Sequence, residues 1–149
     1  MDMRTSLAEI LLIEDNPGDV ELIQEALQHG RVLNRISVAG DGEVALDFMN
    51  RAPGFENAPH PDLILLDLNI PKKDGFEVLQ EIKKHPVMSR VPVVILTSSQ
   101  ADRDILKSYN LGANCFISKP VDVDEFLGVV RSAGEFWLSI VKLPHESNV

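Results

Sequence analysis

The side chains best suited to chemistry in this sequence follow directly after short apolar runs. They comprise three carboxylates, one amide, one hydroxyl and one ammonium group: Glu14, Asp15, Asp67, Asn69, Thr97 and Lys119. If folding brings the carboxylates together, they repel one another and require a cation nearby. Oxygen ligands without Cys or His favour a hard divalent ion, and a few carboxylates with room for water suit Mg²⁺. The residue types therefore predict a magnesium site.

Mg²⁺ and an ammonium group can together hold a phosphoryl group, because phosphoryl transfer depends on positioning and on neutralising oxygen charge. Asp67 follows the apolar run 63–66 and is the natural carboxylate nucleophile, which would form an acyl phosphate. Thr97 would offer a hydroxyl donor to the transferred oxygens, and Lys119 a positive charge. Each residue alone also fits an ordinary cap or turn, so the prediction depends on their meeting at one place.

Five apolar runs must supply the strands that bring these residues together. They span residues 8–13, 35–39, 63–66, 91–96 and 115–118. Continuous apolar runs of this length are typical of strands in a parallel sheet that is covered on both faces. The segments between them have helical periodicity, and Asn16, Asp41 and Asp122 are N-cap residues that would begin three of the helices.

This alternation of strands and helices predicts an α/β fold. The expected architecture is a doubly wound, flavodoxin-like sheet of five parallel strands in a single three-layer domain. In such sheets the ligand site lies beyond the carboxyl ends of the strands. Because the polar residues named above follow those ends, we expect them at one rim of the sheet.

The composition is that of an ordinary globular protein with excess acid. The 149 residues include 14 Lys and Arg against 23 Asp and Glu, which gives a formal net charge of −9. This balance argues against nucleic acid or an anionic membrane as a direct partner, since clustered basic residues bind both. Cys115 is the single cysteine and cannot form an intrachain disulfide. Without a signal peptide or a bilayer-spanning run, the expected location is cytoplasmic.

The motifs and their spacing resemble the receiver domain of two-component response regulators. The resemblance is carried by residues 10–16, 63–71, 74–75, 97–98, 112–113 and 119–120. The separations of 30 residues from Asp67 to Thr97 and 52 from Asp67 to Lys119 are ones that this family keeps. Asn-Pro-Gly-Asp at 16–19 and Phe-Trp-Leu at 136–138 are similar to the small response regulators that partner cyanobacterial and bacterial phytochromes.

The resemblance implies that Asp67 accepts a phosphoryl group from a histidine kinase, with a phytochrome as the expected kinase. It implies Mg²⁺-dependent self-phosphorylation and slow autodephosphorylation, without other enzymatic activity. The implied Mg²⁺ ligands are Asp15, Asp67 and the backbone carbonyl of Asn69, with Glu14 acting through water. Glu14 lies where this family more often has Asp, so its extra methylene departs from the usual metal geometry. A cis peptide bond between Lys119 and Pro120 is implied as well.

Switching, by the same resemblance, involves Thr97 and Phe116. Thr97 would move to bond the phosphoryl group, and Phe116, three residues before Lys119, would rotate into the vacated space. The alternative is that Phe116 is a permanent core residue, because it lacks a hydroxyl that would favour a surface orientation.

The C-terminal segment has an apolar helical stripe that is longer than one receiver domain needs. Its members are Phe126, Val129, Val130, Ala133, Trp137, Ile140 and Val141. We expect residues 1–135 to form the receiver domain and 136–149 an extension used in a homodimer, since exposed apolar patches usually mark interfaces. The alternative is a helix that folds back on its own sheet. No DNA-binding or enzymatic domain follows, so the expected output is protein contact or phosphate relay.

Three other functions share parts of this pattern. A haloacid-dehalogenase-type phosphatase has a nucleophilic Asp after a strand, but it needs a second Asp two residues later, where this chain has Asn69. A flavodoxin-like cofactor binder needs a phosphate-cradling loop, whereas Glu14 and Asp15 would repel an anion. The third is a receiver-fold scaffold that is never phosphorylated, which Glu14 favours and Asp67 argues against.

Overall fold

The computed structural model describes residues 7–140, and the side chains of residues 7–138. The strands are β1 Ala8–Ile13, β2 Asn34–Ala39, β3 Leu63–Leu66, β4 Val93–Thr97 and β5 Cys115–Ser118. The helices are α1 Pro17–Gln28, α2 Gly42–Asn50, α3 Gly75–Lys84, α4 Asp102–Asn110 and α5 Val123–Glu135. A 3-10 turn, Met88–Arg90, precedes β4, and the π-helical residues Phe136–Ile140 continue α5. The predicted alternation of strands and helices is confirmed.

The helices begin where the sequence places capping side chains. Asn16, Asp41 and Asp122 each accept a hydrogen bond from a backbone N–H in the first turn of α1, α2 and α5. Pro17 occupies the first position of α1, where the missing N–H costs no hydrogen bond. Asp74 begins α3 in a capping box. The predicted helix starts are therefore confirmed, and the caps fix where each helix leaves the rim of the sheet.

The five strands form one parallel sheet in the order β2-β1-β3-β4-β5. The chain moves outward from β1 to β2, and then crosses back to add β3, β4 and β5 on the other side. This reversal between β1 and β3 is the switch point at which doubly wound sheets bind their ligands. The fold therefore directs attention to the ends of these two strands.

Alternate residues of the central strands face opposite layers. One buried cluster lies against α2 and α3 and contains Leu11, Ile13, Ile64, Leu66, Val93, Ile95, Val78, Leu79 and Ile82. The other lies against α1 and α5 and contains Ile10, Leu12, Leu63, Leu65, Val94, Leu96, Ile23, Leu27, Phe126 and Val130. Burying each Leu or Ile side chain fully stabilises the folded state by about 1.5–3 kcal/mol. The three-layer architecture is thus set by strands that are apolar on both faces.

The apolar stripe of α5 divides between core and surface. Phe126 and Val130 are buried, and Trp137 is partly buried against the same cluster. Phe136, which follows α5 and is not a member of the stripe, is 46% exposed. The side chain of Ile140 and all of Val141 lie outside the described residues. From Phe126 to Val130 the helix therefore packs on its own sheet. Most of the extension expected at 136–149 lies outside the described residues.

Close packing between α1 and α5 fixes this C-terminal helix. A Cβ atom on Gly134 would lie 2.6 Å from Cδ2 of Leu27 in α1, so a larger residue there would require the end of the Leu27 side chain to move. Glu135 accepts a hydrogen bond from the backbone N–H of Arg31, at 3.3 Å. Within residues 7–140, no helix has the length and hydropathy needed to cross a bilayer.

Candidate functional site

The carboxyl ends of neighbouring strands gather the predicted residues at one rim. Glu14 and Asp15 follow β1, Asp67 follows β3, Thr97 ends β4 and Lys119 follows β5. These four strands are adjacent and parallel, so their ends point the same way. Carboxylate oxygens of Glu14, Asp15 and Asp67 all lie within 4.8 Å of one another. The structure therefore brings together side chains that are up to 105 residues apart in sequence.

Lys119 lies at the centre of this group. Its Nζ atom is 2.6 Å from Oε1 of Glu14, 2.8 Å from Oδ2 of Asp19 and 3.0 Å from Oδ2 of Asp67. The lysine side chain is only 9% exposed. An ammonium group has three N–H donors, so these contacts can use all of them. The lysine therefore supplies positive charge and hydrogen bonds to three carboxylates at once.

Asp67 is held in its charged form. Burial by itself would raise the pKa of Asp67, but the Asn69 N–H and the Lys119 ammonium outweigh it and lower the pKa below its usual value. The Asn69 N–H donates to Oδ1 at 3.0 Å, while Lys119 binds Oδ2. The carboxylate is consequently ionised at neutral pH, which nucleophilic chemistry requires.

Glu14 shows the opposite balance. Burial raises the pKa of Glu14 to about 7, and although the hydrogen bond from Lys119 opposes this shift, the nearby charge of Asp67 adds to it. Only 2% of the residue is exposed. Its Oε2 atom accepts a hydrogen bond from the Asn16 N–H at 3.2 Å. A cation with more charge than the lysine would stabilise the ionised form of Glu14 further.

The donor set fits a hard divalent cation. All three side chains offer carboxylate oxygens, and the exposed Asp15 leaves the cluster accessible from solvent. The group can therefore bind a divalent metal ion. The backbone carbonyl of Asn69 stays a prediction, although its N–H bond to Asp67 keeps the residue beside the cluster.

The two residues predicted to switch lie at different depths. Thr97 is fully buried, and its Oγ1 atom accepts a hydrogen bond from Nδ2 of Asn69 at 3.4 Å. Phe116 pairs with Ile95 in the register of β4 and β5, two positions before the strand ends, and is half-buried against the α2–α3 cluster. Its N–H donates to the hydroxyl of Tyr109 at 3.0 Å. Phe116 thus lies below the rim rather than on it.

Two glycines fix the loop that follows Asp67. A Cβ atom on Gly75 would lie 2.7 Å from the backbone oxygen of Asp67. A Cβ atom on Gly42 would overlap the backbone oxygen of Lys73, and the Gly42 N–H donates to the Pro71 carbonyl at 3.2 Å. The first residues of α2 and α3 therefore press directly on this loop, because neither carries a side chain.

Asp19 belongs to this group although no strand end points to it. It lies in the first turn of α1, where its N–H donates to Oδ1 of the N-cap Asn16 at 3.0 Å. The only signal in the sequence is the capped turn Asn-Pro-Gly-Asp itself, which aims the fourth residue at the rim. To predict a residue such as Asp19, the first turns of the helices that follow the strands must be considered as well as the strand ends.

The peptide bond between Lys119 and Pro120 is trans, as are all peptide bonds in the described part of the chain. The expected cis bond is therefore wrong. The trans form of an X–Pro bond is preferred by only about 0.5–1 kcal/mol, so the presence of a proline does not determine the isomer.

A second surface feature lies away from the rim, between α5 and the edge strand β5. It is an apolar groove of about 730 Å³ whose lining includes Cys115, Ile117, Val129, Ala133, Phe136 and Trp137. We call it the α5 groove. Val129, Ala133 and Trp137, which line it, belong to the C-terminal apolar stripe.

Comparison with known proteins identifies relatives over nearly the whole chain. The response regulator Rcp1 of Synechocystis sp. is 43% identical over 135 residues, which cover 91% of this chain and 92% of that protein. The crystal structure of the phosphorylated cyanobacterial phytochrome response regulator RcpA is 44% identical, with a TM-score of 0.91, and the match covers 94% of this chain and 100% of that one. The Mn²⁺-bound form of Rcp1 is 42% identical, with a TM-score of 0.88, over 93% and 99% of the two chains.

The family model of the response regulator receiver domain matches residues 10–131. This range includes all of β1 except its first two residues, the other four strands, every residue of the rim and most of α5. The match sets aside the phosphatase and the flavodoxin-like cofactor binder, because neither belongs to this family. The fold, the carboxylate and lysine rim and the family match together establish that this chain belongs to the response regulator receiver domains of two-component phosphorelay signalling.

Proposed function

We propose that Asp67 accepts a phosphoryl group from a histidine kinase and that this event changes the protein contacts of the domain. The observation that carries the proposal is the environment of Asp67. Its carboxylate is buried, has a lowered pKa, and lies 3.0 Å from the Lys119 ammonium beside two further carboxylates. A nucleophile in its charged form, with positive charge next to it, suits phosphoryl transfer.

The transfer forms one bond and breaks another. A carboxylate oxygen of Asp67 attacks the phosphorus of a phosphohistidine, a P–O bond forms, and the P–N bond breaks as the imidazole leaves and takes up a proton. Lys119 and Thr97 donate hydrogen bonds to the transferred oxygens. Asp15, Asp67 and the Asn69 carbonyl would hold Mg²⁺, with Glu14 acting through water, and the bound ion would neutralise phosphoryl oxygen charge. Slow attack by water then releases inorganic phosphate and restores the carboxylate, so the domain resets itself.

The phosphoryl group biases the conformation of the switch residues. Thr97 is buried beside the rim and turns its hydroxyl toward the new oxygens. Phe116 is half-buried on the adjacent strand and rotates inward. A bistable pair of this kind transmits a local charge to the surface near β5.

The kinase that donates the phosphoryl group is of the phytochrome type. The support is the similarity to the phytochrome response regulator RcpA, which extends over 94% of this chain at 44% identity. Transfer from a purified, autophosphorylated phytochrome kinase to this chain, compared in light and darkness, tests the assignment.

The protein contact that phosphorylation changes is the interface of a homodimer, which forms through the α5 groove. The groove is apolar and borders the edge strand β5, and the ring of Phe136 is 46% exposed at its side. In a two-fold dimer each protomer presents both a ring and a groove, so the Phe136 of each can enter the groove of the other. A second copy of the chain would therefore cover both the exposed Phe136 ring and the apolar α5 groove in a single interface.

Intact mass spectrometry tests the acceptor. After incubation with Mg²⁺ and acetyl phosphate, the chain should gain a single phosphoryl group, and Asp67→Asn should gain none. Asp102→Asn is the matched control, because Asp102 is exposed on α4. This control should be modified like the unsubstituted chain.

The gain should also disappear when the metal is chelated. A chain that gains no phosphoryl group with Mg²⁺ would favour the scaffold that is never phosphorylated. Modification that persists in Asp67→Asn would place the acceptor elsewhere.

A further inference from the structure

We infer that Asp19 is a positioning residue that draws the Lys119 ammonium away from the phosphoryl position and so lowers the affinity of the rim for a phosphoryl group. The inference rests on the proposed phosphorylation of Asp67. Asp19 does not follow a strand, and it is not one of the three carboxylates that could share a metal ion. Its role follows from the atoms that it touches.

The turn that carries Asp19 is fixed from both sides. Asn16 caps α1 by accepting the Asp19 N–H, and Pro17 holds the first helical position. The side chain has 26% of its surface exposed, whereas that of Lys119 has 9%. The contact of 2.8 Å between them therefore joins a buried ammonium to a carboxylate at the edge of solvent. Asp19 lies outside the group of acidic residues able to share a metal ion, among those described.

Two effects of Asp19 oppose a phosphoryl group on Asp67. The oxygens of Asp19 and Asp67 lie 2.8 and 3.0 Å from the same nitrogen atom, so they are less than about 6 Å apart. Asp19 competes with phosphoryl oxygens for the N–H donors of Lys119. Its negative charge also repels an anion attached to Asp67. Both effects lower the affinity of the rim for a phosphoryl group.

Asp19 has the opposite effect on a cation. By holding part of the ammonium, it leaves Glu14 and Asp67 less fully neutralised by Lys119, and their lone pairs remain available to Mg²⁺. Its own charge attracts the cation as well. Removing the charge of Asp19 should thus weaken Mg²⁺ binding and strengthen phosphoryl binding. A merely structural role would weaken both.

Two titrations separate these effects in the full chain. The first measures the affinity of the metal-free protein for Mg²⁺. The second measures the affinity for beryllofluoride, a mimic of a phosphoryl group on a carboxylate, at saturating Mg²⁺. In Asp19→Asn we expect beryllofluoride to bind about three- to tenfold more tightly, and Mg²⁺ about two- to tenfold more weakly. Asp19→Ser, a short polar residue that also suits a first turn, should change both affinities in the same directions.

Glu21→Gln is the matched control, since it removes the same charge from an exposed position of the same helix. It should leave both affinities within about twofold of the unsubstituted chain, because exposed charges are screened by salt. Unchanged or weaker beryllofluoride binding in both Asp19 variants would overturn the inference while leaving the acceptor intact. An unsubstituted chain that binds no beryllofluoride at saturating Mg²⁺ would instead overturn the proposed acceptor site, and this inference with it.

Discussion

Two neighbouring carboxyl groups of the rim have pKa shifts of opposite sign. Asp67 has the Asn69 N–H and the Lys119 ammonium, and these outweigh its burial. Glu14 also binds Lys119, but burial dominates and raises its pKa to about 7. The difference suits the roles proposed for them, since a nucleophile must stay ionised while a metal ligand can release a proton when a cation binds.

The raised pKa of Glu14 makes the stability of the metal-free protein depend on pH. The folded chain holds this proton up to about pH 7, whereas the unfolded chain releases it near 4.5. The folded state therefore binds more protons in this window, and the free energy of unfolding should fall as pH rises through it. Urea unfolding in chelator at several pH values between these limits measures the slope.

Glu14→Gln should remove this part of the slope, because glutamine does not titrate. Glu21→Gln should retain the full slope, since Glu21 is exposed. Equal slopes in the unsubstituted chain and Glu14→Gln would show that another group is responsible.

The membership of the rim followed from the sequence wherever a residue ended a strand. Glu14, Asp67 and Thr97 were predictable because the end of each apolar run marks the carboxyl end of a strand in a parallel sheet. Asp19 was not, because it reaches the rim from a helix whose start was predicted only as a cap. The presence of Pro120 also did not determine whether the Lys119–Pro120 peptide bond is cis or trans.

At the scale of elements, the loop after β3 is held by the starts of two helices. Gly75 begins α3 against the backbone of Asp67, and Gly42 begins α2 against Lys73. Within that loop Lys72 has a φ of 72°, in the left-handed region that side chains seldom adopt. Asp67, the proposed acceptor, is therefore positioned by backbone contacts, which apolar periodicity does not predict.

Gly75→Ala should both destabilise the protein and impair phosphorylation. The new Cβ atom meets backbone atoms of residues 67 and 68, which cannot move without shifting the acceptor. We expect a loss of about 1–3 kcal/mol in the free energy of unfolding, as for other overpacked sites. Urea unfolding and the rate of modification by acetyl phosphate measure the two effects.

Gly128→Ala provides the contrast within the same chain. Gly128 lies inside α5, and a Cβ atom there has no neighbour within 4 Å. Alanine should stabilise the protein by about 0.5–1 kcal/mol, since glycine is unfavourable inside a helix. Equal effects of the two substitutions would contradict the tight fit at Gly75.

For the whole molecule, the layered architecture was predictable and the course of its C-terminal end was only partly so. Strand positions agreed with the prediction to within two residues because each central strand is apolar on both faces. Three helix starts agreed because a capping side chain marks each of them. The stripe of α5 could not be assigned to core or surface from periodicity alone. The packing of Gly134 against Leu27 of α1 is one contact that bears on it, and it joins residues that are far apart in sequence.

The proposed dimer predicts a charge-sensitive interface at the end of α5. Phe136→Asp should convert the protein to a monomer in sedimentation velocity, because a carboxylate cannot enter an apolar groove without losing its hydration. Leu33→Asp is the matched control, since Leu33 is 77% exposed and precedes β2, the opposite edge strand. It should leave the dimer intact.

Measurements with and without acetyl phosphate show whether assembly responds to the modification. An unsubstituted chain that stays monomeric in both conditions would exclude the α5 groove as a dimer interface.

The position of β3 in the middle of the sheet has a consequence for local opening. All residues of β3 are buried, whereas those of the edge strand β5 are only half-buried. The N–H of Asp67 bonds to the Ile13 carbonyl at 3.0 Å and shares the protection of the central strands. Amide hydrogens there should exchange with solvent only when the whole domain unfolds, while those of β5 exchange through smaller fluctuations. Asp67, the proposed acceptor, would thus be attached to the slowest-exchanging part of the protein, whereas the proposed change in contacts near β5 would occur where exchange is fast.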